Sequence, residues 1–169
     1  MKKRHIPIAT IKISKKAIGY VNKVLKSNRL SYGPFTEKFQ RAFARAHLRK
    51  YAMFVNSGTS GLQIALQALK ELYGWQDGDE VLVPAITFIA SSNVIIHNRL
   101  KPIFVDVEKD YYCIDPQKIE ARITPKTKAI MPVHLFGQSA DMAPILKIAQ
   151  KYKLKVLEDS CEALFVKYH

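Results

Sequence analysis

The apolar positions change their period once along the chain. Over residues 15–27 (KKAIGYVNKVLKS) Ile18, Val21, Val24 and Leu25 recur at helical spacing, and over 35–48 (FTEKFQRAFARAHL) Phe35, Phe39, Ala42, Phe43 and Ala46 do the same. That spacing gathers the apolar side chains on one stripe of a helix, so two amphipathic helices are expected to open the chain. Between them NRLSYGP (28–34) ends in Gly33-Pro34, a turn followed by a proline suited to the first helical position, where a missing amide costs nothing.

From residue 51 onward, short apolar runs alternate with helical patterns. The runs are YAMFVN (51–56), EVLVPA (80–85), PIFVDV (102–107), KAIMPV (128–133) and LKVLED (154–159). Helices are predicted between them from Thr59 to about Tyr73, over about 88–98, near 115–121 and from about 141 to 152. The runs are apolar throughout instead of at every second position, which is the pattern of strands covered on both sides. The chain therefore reads as α/β: a mostly parallel sheet with helices on both faces over 51–169, behind an N-terminal helical segment over 1–50. Ligands of open parallel sheets collect beyond the carboxyl ends of the strands, so the residues that follow each run carry the candidate chemistry.

Composition changes this picture little. The 169 residues are 48% hydrophobic, which excludes a disordered chain and suits an ordinary core. Lys and Arg outnumber Asp and Glu by 27 to 14, and a net charge of +13 suggests nucleic acid, an anionic membrane or an acidic substrate. The cations are spread in twos and threes (Lys2, Lys3, Arg4; Lys15, Lys16; Arg49, Lys50; Lys126, Lys128; Lys151, Lys153, Lys155), with no basic block interleaved with stacking aromatics. The charge reads as a basic surface, and no specific nucleic-acid site is expected. Cys113 and Cys161 lack any CxxC or Cys/His ligand spacing, so neither a disulfide framework nor a metal site is expected, and a reducing cytoplasm fits. The apolar stretch after Arg4 is broken by Pro7 and Lys12, too short for a signal-peptide core, and no run reaches the roughly 18 apolar residues of a membrane span.

Four strand ends carry polar or aromatic groups. The first run ends in Asn56-Ser57-Gly58-Thr59-Ser60-Gly61 and passes straight into a helix. Glycines that let the backbone come close, hydroxyls at Thr59 and Ser60, and the amides of a first helical turn make either an anion cradle or a plain helix cap. The pattern is neither a P-loop, for no Lys follows the glycines, nor GxGxxG. The last run, in a strand expected to be central, ends in Leu157-Glu158-Asp159-Ser160-Cys161-Glu162. Its Asp159 is either a helix N-cap or a buried carboxylate in need of an Arg, a metal or a protonated ring nitrogen. The second ends in Ile86-Thr87-Phe88, placing an aromatic either in the core or flat on a planar ligand. The fourth ends in His134, whose more common role is that of a satisfied structural histidine.

The three stronger ends describe one ligand together: a phosphate on a helix N-terminus, a ring stacked by Phe88, and an Asp that keeps a ring nitrogen protonated. That ligand is pyridoxal 5'-phosphate (PLP), whose protonated pyridine acts as an electron sink. The motifs NSGTSGLQIAL, GDEVLVPAITFIASSNVI, PIFVDV, PVHLFGQ and LEDSCEA, in that order, with LSYGPFTEKFQ before them, resemble the DegT/DnrJ/StrS family of PLP-dependent nucleotide-sugar aminotransferases, from about Ile6 to Lys167.

The resemblance implies phosphate contacts from Gly58, Thr59 and Ser60, ring stacking by Phe88, the ring-nitrogen partner at Asp159, and Glu162 where the family usually carries a Gln near the phenolic oxygen. It implies amino transfer from glutamate or glutamine to a keto nucleotide-sugar, in polysaccharide or lipopolysaccharide biosynthesis, by a homodimer. The family's Schiff-base Lys lies in a later segment than any before His169, Lys167 belongs to a different strand position, and no catalytic residue is assigned. The expectation is a truncated enzyme, inactive alone, without its C-terminal small domain and doubtful as a dimer. Phe165 stands where a Gly is expected. The acidic Glu162 keeps open a PLP- or pyridoxamine phosphate (PMP)-dependent 4-keto-6-deoxy-sugar 3-dehydratase, some of which use His in place of Lys, and a non-catalytic remnant is the remaining alternative.

Overall fold

The computed structural model describes residues 11–168. The chain divides into two compact units between Phe54 and Val55. In the first, helix α1 (Lys15–Lys26) starts behind Ser14, whose hydroxyl oxygen accepts the Ala17 N–H at 3.1 Å, and α2 (Pro34–Ala46) starts behind Gly33 with Pro34 in its first turn. Tyr20 meets Phe35 edge-on at 5.7 Å, and Phe39 packs with Phe43 at 5.6 Å and Phe54 at 5.5 Å. The predicted stripe of α1 stands in solvent, with Ile18, Val21 and Leu25 exposed.

The run YAMFVN is not a strand. Residues 51–55 join no ladder, Tyr51 and Met53 are exposed, and the Phe54 N–H donates to the Gln40 side chain at 2.8 Å where a strand would use a neighbouring backbone. Apolar, aromatic composition supplies strand propensity, but a strand forms only against a partner, and none runs beside this segment among the described residues.

The second unit contains α3 (Gly58–Tyr73), β1 (Glu80–Pro84), α4 (Ile89–His97), β2 (Lys101–Val105), α5 (Pro116–Ile119) with a following 3-10 turn, β3 (Thr127–Ile130), α6 (Met142–Lys151) and β4 (Lys155–Val156). The strands form a parallel sheet in the order β2-β1-β3-β4. Val81 lies beside Pro102 and Ala129, and Leu82 beside Ile103 and Ile130. Consecutive side chains point to opposite faces. Val81, Val83, Ala129 and Met131 pack with Leu62 and Leu66 of α3 and Val94 and Ile95 of α4. Leu82, Ile130 and Val105 pack with Ile119 of α5 and Ile145, Ile148 and Ala149 of α6. Each face is helix-covered, which is why the runs are apolar at every position, each buried Leu or Ile contributing roughly 2 kcal/mol.

LKVLED forms less strand than its pattern predicts, and at an edge of the sheet instead of its centre. The edge position follows from the strand order, and the short ladder from Pro132. Leu157 N–H donates to the Ile130 carbonyl at 3.1 Å, Asp159 N–H to the Pro132 carbonyl at 3.0 Å, and His134 N–H to the Asp159 carbonyl at 3.0 Å. The one missing rung is the amide that proline lacks, so the regular ladder is interrupted while the extended path continues to Asp159.

Candidate functional site

Helix α3 runs antiparallel to the strands, which brings its N-terminus to the carboxyl edge of the sheet. Ser57 caps it: its hydroxyl oxygen accepts the Ser60 N–H at 3.1 Å, and its own O–H donates to Ser60 Oγ at 3.0 Å. Helix geometry leaves the amides of Gly58 and Thr59 with no acceptor inside the helix, and the Thr59 hydroxyl has no partner among the described residues. The turn is thus a helix cap at Ser57 and Ser60 and an open pair of amides at Gly58 and Thr59, aligned with the positive end of a 16-residue helix.

Asp159 is 4% exposed. Its Oδ2 accepts from Ser91 Oγ at 2.9 Å and its Oδ1 from the Cys161 N–H at 3.2 Å. No helix follows, so the N-cap role does not arise, and among the described residues no Lys, Arg or His pairs with the carboxylate. Ser91, itself fully buried, is 2.9 Å from Thr87 Oγ1. A carboxylate can only accept, so Ser91 donates to Asp159 and Thr87 donates to Ser91. This directed pair of hydroxyls ties the turn after β1 and the first turn of α4 to Asp159, three residues past β4.

Phe88 is the N-cap residue of α4 and is 74% exposed, so it is not a core aromatic. It follows Thr87 directly and therefore emerges at the edge that Asp159 occupies. Glu162 is exposed, and its Oε2 accepts the Phe136 N–H at 3.0 Å, bracing the left-handed turn at Phe136 and Gly137. Both ring nitrogens of buried His134 are used. Nδ1 accepts the Ala140 N–H at 3.1 Å, which leaves the proton on Nε2 to donate to Glu158 at 3.0 Å. His134 is a structural residue.

Two residues at this edge escaped the sequence reading. Ser91 stands four residues after Thr87 in a helix buried on several sides, and that spacing of two hydroxyls was its signal. Cys161 left none, because its neighbour across the site is Gly58, in the first turn of a helix far away in the chain. The glycines are also explained by contacts. A Cβ on Gly61 would meet Val55 Cγ2 at 3.3 Å, and one on Gly58 would meet Cys161 Sγ at 2.7 Å.

A parallel α/β sheet with an open helix N-terminus and a buried, cation-free Asp at its carboxyl edge defines a class of anionic-cofactor proteins. Residues 11–169 match the DegT/DnrJ/EryC1/StrS aminotransferase family, and the chain belongs to it. It is 42% identical over 168 residues to the spore coat polysaccharide biosynthesis protein SpsC of Bacillus subtilis (strain 168), a match covering 99% of this chain and 42% of that protein. Among solved structures it resembles NtdA of Bacillus subtilis with bound cofactor PMP, at 40% identity and a TM-score of 0.83, covering 89% of this chain and 34% of that one. It also resembles the E. coli GDP-4-keto-6-deoxy-D-mannose-3-dehydratase with bound hydrated PLP, at 26% identity and a TM-score of 0.92, covering 98% and 43%. The chain spans about two fifths of the length of such relatives.

Proposed function

We propose that this chain carries the cofactor-facing part of a PLP-dependent sugar aminotransferase. The observation that carries the reading is Asp159: a carboxylate 4% exposed, with hydroxyl and amide donors but no cation among the described residues, at the sheet edge where the α3 amides stand open. The residues present fit the group. Gly58, Thr59 and Ser60 would hold the phosphate, the first two through free amides and Thr59 also through its hydroxyl. Phe88 would stack on the ring, Asp159 would keep the ring nitrogen protonated, and Glu162 would serve the phenolic oxygen. When bound, PLP supplies an electron sink that labilises bonds at the substrate carbon bearing the amino group.

The reaction so proposed is transfer of an amino group from glutamate or glutamine to a keto nucleotide-sugar in polysaccharide biosynthesis, by a cytoplasmic homodimer. The two free cysteines and the exposed apolar side chains of α4, Ile89 and Ile96, support the last two points. No helix among the described residues is long and apolar enough to cross a membrane. Titration with PMP, which forms no adduct with surface lysines, tests the reading by protein fluorescence: saturable binding that Asp159→Ala and Phe88→Ala weaken is expected, and absence of saturable binding overturns it.

The acidic side chain of Glu162 favours a second reading, a 3-dehydratase of a 4-keto-6-deoxy nucleotide-sugar. Product analysis separates the two, since one incorporates the donor nitrogen and the other eliminates water.

A further inference from the structure

The open amides of α3 and the carboxylate of Asp159 sit at two ends of the proposed cofactor site, and one residue, Cys161, meets both Asp159 and Gly58, the first residue of α3. Cys161 donates its backbone N–H to Asp159 Oδ1 at 3.2 Å. Its sulfur lies where a Cβ on Gly58 would be 2.7 Å away, closer than such atoms come. Outside its chain neighbours and its own helix backbone, no other atom of the described residues stands within 4 Å of that position. Gly58 does not have the positive φ that would require glycine for backbone reasons; Gly74, Gly78 and Gly137 do. Glycine is also a poor helix former, roughly 1 kcal/mol worse than alanine in a helix interior. What the position needs is a missing Cβ, and the atom that fills the space is the Cys161 sulfur.

The thiol is suited to holding a position and unsuited to chemistry. Although the residue as a whole is accessible to solvent, burial of the thiol, followed by its hydrogen bond to Asp159 and the Asp159 and Glu162 charges, pushes it up to about 11. It stays protonated at neutral pH, donates to Asp159, and lacks the thiolate character of a nucleophile or redox sensor.

We propose that Cys161 is a positioning residue that sets the spacing between the phosphate end and the ring-nitrogen end of the cofactor site, its sulfur seated on the bare Cα of Gly58. The proposal rests on the cofactor reading above. The ring joins phosphate to pyridine nitrogen at a fixed distance, so the protein must hold its two ends at a matching one, and misplacement by about 1 Å costs up to about a hundredfold in comparable sites. A cysteine side chain is short and has a single rotor, and here its backbone amide is tied to Asp159 while its sulfur meets Gly58.

A double-mutant cycle on the whole chain tests this. Gly58→Ala is expected to weaken PMP binding about tenfold, because the sulfur must leave its seat and take the Asp159 turn with it. Cys161→Ala, which removes the spacer without crowding the site, should cost about threefold, an unchanged affinity overturning the positioning role, and the pair Gly58→Ala with Cys161→Ala should return to the level of Cys161→Ala alone. Cys161→Val, which enlarges the other side of the contact, should reproduce the Gly58→Ala loss in a chain whose Gly58 is intact, and circular dichroism verifies folding of each variant.

A second measurement is independent of cofactor. Ejecting the sulfur should speed reaction of Cys161 with a disulfide reagent at pH 8 by about tenfold, with buried Cys113 as the unreactive reference. Losses that simply add in the cycle, or an unchanged thiol rate in Gly58→Ala, overturn the proposal. If the native chain fails to bind PMP, the cofactor reading and the positioning role fall together. The thiol rates then still decide, separately, whether the sulfur sits on Gly58.

Discussion

Both edges of the sheet bury carboxylates, and they do so differently. At the amino edge Glu80 lies in register beside Lys101 and Thr127; its Oε1 is 3.6 Å from Lys101 Nζ, and its Oε2 accepts from the hydroxyls of Thr124 and Thr127. Its neighbour Asp79 accepts the Gln76 N–H at 2.8 Å and is 3.9 Å from Lys128 Nζ. Those acids have lysines within ion-pair distance as well as neutral donors, so they serve the entry into β1. At the carboxyl edge Asp159 has, among the described residues, donors only from neutral groups. A buried charge with no counter-charge is costly unless a ligand supplies one, so the contrast between the two edges separates an acid that holds the fold from one placed for a ligand.

The contrast can be broken in four ways, from the largest effect to the smallest. Glu80→Ala strands two threonine hydroxyls, and chemical denaturation should show a loss of roughly 2–3 kcal/mol with PMP affinity of the folded protein unchanged. Asp159→Asn should invert that result: affinity falls at least tenfold, about 1.4 kcal/mol, while unfolding changes by under about 1 kcal/mol. Equal stability losses in the two variants would erase the distinction.

Ser91→Ala removes the donor to Oδ2, for an expected loss of about 1 kcal/mol in stability and roughly threefold in affinity, both restored by Ser91→Thr if the hydroxyl is what matters. The smallest effect is in pH. The Cys161 thiol is raised from 9.0 to about 11 in the folded chain, so its contribution is complete below pH 9 and is lost as pH rises toward 11. The stability difference between the native chain and Cys161→Ala should therefore be flat up to pH 9 and shrink above it; a difference that grows with alkalinity would contradict the burial of this thiol.

Much of this was legible in the chain because it is local. Helices α1, α2, α3, α4 and α6 and strands β1, β2 and β3 fall within a few residues of their predicted places, each declared by a short-range period and by punctuation such as Gly33-Pro34 or Gly74. Strand ends follow from strands, so Phe88, Asp159 and Glu162 could be named as candidates before any distance was known, while Gly58, Thr59 and Ser60 follow from the start signal of α3, the run before them forming no strand. The errors were of another kind. YAMFVN has the composition of a strand without a partner, and LKVLED lost its central place and most of its ladder to sheet order and to the missing amide of Pro132.

The sequence by itself therefore determined the order of elements, the chemistry at each strand end and the family, since backbone geometry couples side chains only over a turn of helix or a pair of strand residues. Tertiary structure alone decided which of those ends meet. Ser91 reaches Asp159 across 68 residues, the Cys161 sulfur comes to rest on Gly58, and the acids of one edge receive lysines while Asp159 does not. These are consequences of strand order and register, which are fixed by how two helix layers close on both faces of one sheet, and no local period records them.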